Sequence, residues 1–203
     1  MQAAVKRIVR LAAAPLVLLV AFGSVETALA ARVSAGDAPV LRECTSSVYG
    51  DLGRDWLPPS VVAGPLAFVR ARAYATSTYS FRGVGGGRYH GSKLLVAVRT
   101  GWVARVVVPS AQRRKVALQY APEDFNKAVV PAEGDHDVTF TACPPHRPFV
   151  GPASARWTQF NGAIVVAGRR CVTLAVYAAK QGHPLPMRPL SARLSFGAGN
   201  CRA

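Results

Sequence analysis

The stretch Cys171-Val172-Thr173-Leu174-Ala175-Val176-Tyr177 sets Val172, Leu174 and Val176 at every second position, with Thr173 on the alternate side. A period of two is the signature of a β-strand with one buried face, because successive side chains leave the backbone in opposite directions. The same reading holds in Lys115 to Tyr120, where Val116, Leu118 and Tyr120 share a face opposite Gln119. It holds again in Asp137 to Cys143, with Val138, Phe140 and Ala142 opposite Thr139 and Thr141. Leu66 to Tyr74, Lys93 to Arg99, Trp102 to Val108, Phe160 to Ala167 and Ala192 to Phe196 are further apolar runs of strand length, bounded by Gly, Pro, Asn and Asp. No window of twelve or more residues after the first thirty carries an apolar period of 3.6. One face in and one face wet is the habit of antiparallel sheets. The expected fold is all-β: an antiparallel β-sandwich of seven to nine strands, Ig-like or jelly-roll-like, stabilised by disulfides.

Two pairings follow from local chemistry. Arg99-Thr100-Gly101 reads as a three-residue hairpin loop, with Gly101 taking the left-handed conformation that closes it. That register sets Val98 opposite Trp102, Val96 opposite Ala104 and Leu94 opposite Val106. The second hairpin joins the last two runs. If Cys171 faces Cys201, the midpoint is residue 186, inside the proline-rich stretch His183-Pro184-Leu185-Pro186-Met187-Arg188-Pro189. In that frame Val176 sits opposite Phe196.

The N-terminus speaks to location. Lys6, Arg7 and Arg10 precede an apolar run from Leu11 to Phe22, and Ala28-Leu29-Ala30 offers small residues for cleavage after Ala30. Residues 1–30 are therefore expected to be a secretory signal peptide, since the run is too short for a spanning helix of roughly 20 residues. The expected organisation is this signal, an extended segment 31–63 packed on the core through Trp56, and a β-sandwich over 64–203. The product is expected to be secreted, extracellular or cell-wall associated, with no transmembrane segment after cleavage.

The whole chain carries 25 basic and 10 acidic side chains. Losing Lys6, Arg7, Arg10 and Glu26 leaves 22 against 9, a net charge of +13. Such a balance favours anionic surroundings. Only Arg113-Arg114-Lys115 and Arg169-Arg170 concentrate it, both at expected turns, which argues for a solvated basic surface and against a nucleic-acid groove. Twenty arginines against five lysines, with abundant Ala, Val and Gly, match the bias of GC-rich bacterial genomes, which accounts for part of the charge.

Cys44, Cys143, Cys171 and Cys201 are an even set in an exported chain, expected to form two disulfides. The hairpin argument pairs Cys171 with Cys201 and leaves Cys44 with Cys143. Chain entropy then gives roughly 3.5 and 4.7 kcal/mol for the two loops. Cys143 and His146 are half a zinc site at best, so no metal and no cofactor are expected.

Gly83-Val84-Gly85-Gly86-Gly87 fails the dinucleotide and phosphate-loop patterns, with Arg88 where a glycine is needed and Gly91-Ser92-Lys93 out of order. Tyr79 to Ser92 reads as a glycine-rich loop whose Arg88, Tyr89 and His90 are candidate binding residues. Trp157, Gln159 and Asn161 are further candidates, since aromatics and amides at a sheet edge suit sugar or peptide contact. In Asp135-His136-Asp137 an extended backbone turns His136 away from both carboxylates, and Glu133-Gly134-Asp135 reads as a turn. Gly-x-Ser-x-Gly is absent. No catalytic residues are assigned.

Val138-Thr139-Phe140, Ala142-Cys143-Pro144, Trp157-Thr158-Gln159-Phe160-Asn161-Gly162, Arg170-Cys171-Val172 and Leu194-Ser195-Phe196-Gly197-Ala198-Gly199-Asn200-Cys201 resemble a group of uncharacterised exported actinobacterial proteins. Gly64-Pro65-Leu66 with Phe68 matches more loosely. The resemblance implies a secreted β domain and carries over no activity and no site residues. The expected function is a non-catalytic protein that binds an anionic cell-wall polymer or a surface protein. The alternative is a secreted hydrolase or inhibitor with a loop-built site from Arg88, His90, Asp135 and His136.

Overall fold

The computed structural model describes residues 39–48, 50–76, 89–125, 127, 129–145 and 156–201, all within the compact unit Val33–Ala203. Among them are twelve strands and four short 3-10 turns, and no α-helix. The strands are β1 (Val40–Arg42), β2 (Val61–Ala63), β3 (Leu66–Phe68), β4 (Tyr89–Lys93), β5 (Val96–Arg99) and β6 (Trp102–Val107). They continue with β7 (Val116–Gln119), β8 (Asp137–Thr141), β9 (Trp157–Phe160), β10 (Ala163–Ala167), β11 (Arg170–Lys180) and β12 (Leu190–Phe196). No helix among the described residues is long and apolar enough to cross a membrane.

Three sheets form, in the orders β1-β8-β6-β11-β12, β4-β10-β7 and β2-β3-β5-β9. The two smaller ones share a bent ladder. Tyr89 to Lys93 pairs with Ala167 to Ala163, Val96 to Arg99 pairs with Phe160 to Trp157 in the same register, and Leu94 N donates to Gly162 O at 2.9 Å between them. Side chains from all three sheets meet in one core, including Phe68, Val96, Leu118, Phe140, Phe160, Ile164, Leu174 and Leu194. The faces of Val116/Leu118/Tyr120, Val138/Phe140/Ala142 and Val172/Leu174/Val176 all point into it, as the period-two pattern requires.

Both disulfides form as expected. Cys44–Cys143 has a Cα separation of 4.7 Å and Cys171–Cys201 one of 5.6 Å. The first has a topological consequence that overturns the purely antiparallel expectation. Cys44 lies two residues beyond β1 and Cys143 two beyond β8, so a bridge between them requires the two strands to run the same way. β1 and β8 do pair in parallel, Val40 with Val138 through Arg42 with Phe140.

Both proposed registers need correction. Gly101 is left-handed (φ 77°) as expected, but the turn does not close a hairpin. It hands the chain from one sheet to another: Val98 pairs with Leu66 and Thr158, and Trp102 with Lys180. The peptide of Gly101 is used across the corner, its N donating to Cys143 O and its O accepting from Gln181 N. In the last hairpin Val176 lies opposite Leu190, not Phe196, and Phe196 opposite Arg170. The real frame differs from the expected one by an even number of residues, so every side chain keeps its face and the core pattern cannot tell them apart. Cys201 reaches Cys171 from a hook beyond β12, which turns at Gly197 (φ 62°) and is tied by Gly197 N to Tyr74 O at 2.8 Å.

The strand count exceeds seven to nine because β1 and β2, of three residues each, are too short to show a period, and because the ladder bends at Leu94 and Gly162, so that β4 and β9 stand as strands beside β5 and β10. The run from Leu66 stops at Phe68, where Arg70 (φ 54°) leads into a 3-10 turn over Ala71–Ala75. Tyr89 to Ser92, read as the end of a loop, belong to strand β4, and 77–88 lies outside the described residues. The one-wet-face expectation fails in the smaller sheets. Leu52 and Trp56 cover the outward Ala67 and Ala97, while Val129 covers Ala117 and Val165. Gln119 is buried there too, and its Nε2 donates to the carbonyls of Asp124 and Lys127. The outward side of the five-stranded sheet, by contrast, stays half-exposed along Thr139, Arg105, Thr173, Ala175 and Tyr177.

Candidate anion-binding site

The residues singled out for binding fall into separate places. Trp157 lies on β9, edge-on to Trp56 with ring centroids 5.3 Å apart. Gln159 Nε2 donates to Gly50 O at 2.7 Å, and Asn161 Oδ1 accepts from Arg42 Nη2 at 3.3 Å. All three thus grip the segment that runs from β1 to Trp56. Tyr89 stands at the far end of the bent ladder, ten residues from Trp157 in register terms, or roughly 33 Å along the strands. It packs against Ala117, Val129 and Val165. His90 is in β4, and Arg88 lies outside the described residues.

Arg42 is the group that sequence reasoning missed. It is 2 % exposed. Nε donates to Ser46 Oγ (3.0 Å), Nη1 to Tyr120 O and Asn161 O (3.2 Å), and Nη2 to Ser46 O (2.8 Å) and Asn161 Oδ1. Its plane also lies 5.4 Å from the Phe125 ring centroid and 5.9 Å from that of Phe160. Burial pushes the guanidinium below its ordinary pKa. All five donors are spent on neutral acceptors of the protein, so none is left for a ligand. Arg42 is a structural pin.

Asp135, His136 and Asp137 point apart, as an extended backbone dictates. His136 is buried, with Nε2 2.8 Å from Pro131 O and 3.1 Å from Arg113 O, so that nitrogen carries the proton and donates. Asp137 is held by Arg105, whose Nε lies 2.8 Å from Oδ1 and whose Nη2 donates to Oδ2. Asp135 lines a cleft of about 160 Å³ with Asp124, Lys127, Val129 and Glu133. Its Oδ2 is buried without a hydrogen-bond partner among the described residues. Burial, and next the charge of Asp124, hold this carboxyl above the usual carboxylate range. Neither serine, cysteine nor histidine is among the described residues of the cleft.

The charged groups that do converge are the two basic runs. Arg113-Arg114-Lys115 leads into β7, and Arg169-Arg170 turns the chain from β10 into β11. β7 and β10 are neighbours, Val116 opposite Val166, so the start of one meets the end of the other. Ala167 N donates to Lys115 O at 2.8 Å. Gln112 clamps the junction like a short strand: its Nε2 donates to Thr173 O at 3.1 Å and its Oε1 accepts from Thr173 N at 3.3 Å. Arg193 joins the group because it pairs with Thr173, and the stem of Arg169 lies beside Gly197.

Arg114, Lys115 and Arg169 are exposed. The ion pairs seen among the described residues, Arg105–Asp137 and Lys127–Asp124, involve none of Arg114, Lys115, Arg169, Arg170 or Arg193. Arg114, Arg169, Arg170 and Arg193, gathered at one end of the fold without a carboxylate partner among the described residues, present donors suited to carboxylate or phosphate. The runs were visible in the sequence; the signal for their meeting was that each borders a strand, and those strands pair. No protein-family model matches the chain, and no curated protein matches it.

Proposed function

We propose that the protein is an exported, non-catalytic β-sandwich that docks on an anionic polymer of the cell envelope through the Arg113–Lys115 and Arg169–Arg170 end. In this reading the five-stranded sheet is one layer and the two smaller sheets, joined by their bent ladder, are the other. The observation that carries it is the convergence of two basic runs at the Ala167 N to Lys115 O contact, without carboxylate partners on Arg114, Lys115, Arg169 or Arg170 among the described residues. Disulfides suit an oxidising compartment, and a net charge of +13 after signal removal suits an anionic surface. A secreted hydrolase or inhibitor draws less support, because Asp135 and His136 face different surroundings.

The test is retention of the mature protein on isolated wall fragments. Binding should fall as salt rises toward 1 M, where the Debye length is about 3 Å. Lys115→Glu with Arg169→Glu should abolish it, while Arg99→Glu at the other end of the ladder should not. Retention indifferent to salt and to the first pair of substitutions overturns the reading.

A further inference from the structure

The outward side of the five-stranded sheet runs on directly from the basic end. Arg193 and Thr173 stand opposite each other at that end. Along β11 the next outward residues are Ala175, flanked by Val107 and Ser191, and then Tyr177, flanked by Arg105, which in turn faces Thr139. Thr173 to Tyr177 is four residues, about 13 Å along the strand. The loop segments that cover the outer faces of the smaller sheets have no counterpart here among the described residues, and Thr139, Arg105, Thr173, Ala175 and Tyr177 are half-exposed.

The chemistry of this face selects its occupant. Hydroxyls of Thr139, Thr173 and Ser191 both donate and accept, which suits the hydroxyl groups of sugars. The Tyr177 ring offers an apolar plate with a polar rim. A protein partner would want a central cluster of aromatic, Met or large aliphatic anchors, whereas the face has a single ring and its exposed leucine, Leu41, stands off-centre on the edge strand β1 beside Thr139. A bare phosphate polymer would want cations along its whole length. Beyond Arg193 the next guanidinium is Arg105, already neutralised by Asp137. Outside that ion pair, the charge of the described face is thus confined to one end, hydroxyls and the ring follow along β11 and β12, and the aliphatic Val103, Val107 and Leu41 lie toward β6 and β1.

We propose that this face is a binding site for an anionic polysaccharide, a chain of carboxylate-bearing sugar rings that starts at the basic end and crosses Thr173 to stack on Tyr177. The proposal rests on the docking reading above and names the ligand class of that site. It is tested by calorimetric titration of the mature protein with polygalacturonate oligomers, neutral dextran and inorganic polyphosphate at one ionic strength. Polygalacturonate is expected to bind and dextran not. Tyr177→Ala should weaken polygalacturonate about tenfold, equivalent to about 1.4 kcal/mol, while leaving polyphosphate unchanged. Tyr177→Phe, which keeps the ring, should bind as the parent does, and both variants should keep the parent melting temperature within a few degrees. Polygalacturonate binding that ignores Tyr177→Ala overturns this proposal alone and leaves the basic end as a site for bare anions. Absence of binding to either polyanion overturns the docking reading and this one with it.

Discussion

Arg42→Met isolates the energetics of the buried pin. The guanidinium gives five hydrogen bonds, three of them to the backbone carbonyls of Ser46, Tyr120 and Asn161. Methionine fills comparable space and removes the charge, whose burial is itself costly. It leaves those three carbonyls and Asn161 Oδ1 without their donor, at roughly 1–3 kcal/mol for each group that water cannot reach. Relief of the desolvation cost offsets part of this, and the expected net loss is about 3–5 kcal/mol. For a domain of this size each kcal/mol lowers Tm by about 2–4 °C, so the midpoint should fall by roughly 10 °C. Arg42→Lys should fall between, because an ammonium keeps the charge but has three donors where the guanidinium has five. The assay is urea and thermal unfolding under non-reducing conditions, where Cys44–Cys143 keeps β1 tethered in every variant. A neutral or stabilising Arg42→Met would refute the reasoning, since it would mean that desolvation of the charge outweighs its five hydrogen bonds.

Gly162→Ala should destabilise by about 1–3 kcal/mol or more, because a Cβ there would sit 2.2–2.7 Å from the Tyr120 ring. That ring is buried and fixed by its hydroxyl donating to Leu94 O at 2.6 Å, so it cannot give way; urea midpoints check the loss. Arg70→Gly should stabilise by roughly 0.5–1 kcal/mol in thermal melts, since relief of a left-handed conformation outweighs the added freedom of the unfolded chain. A loss would show that the 3.4 Å bond from Arg70 Nη2 to Leu52 O matters more than the strain. Asp135 holds its proton more tightly folded than unfolded, so its contribution is fully present below the ordinary value of 3.8 and is lost as pH rises through the folded pKa. Asp135→Asn should therefore gain stability over the parent at pH 7 and lose that advantage near pH 3.5, read from denaturant midpoints at the two pH values.

Much of this fold was written in short-range pattern. Alternation in 116–120, 138–142 and 172–176 identified the faces that enter the core, because a strand has only two sides and only one of them was apolar. The disulfide partners also followed from local reasoning, even though the frame behind it was wrong, since β11 and β12 are neighbours in either frame. Tertiary structure decided what a period of two cannot carry. It chose among registers that differ by an even step, sent β5 and β6 to different sheets across Gly101, and ran β1 parallel to β8. It also made Arg42 an interior residue, although in sequence it is one isolated arginine among many. The candidate site divides the same way. Arg113-Arg114-Lys115 and Arg169-Arg170 are plain to read, but their meeting depends on β7 lying beside β10, a contact between segments some fifty residues apart. Local chemistry sets which face of each strand is buried; only the packing of the whole chain sets which strands are neighbours, and so which charges share an end.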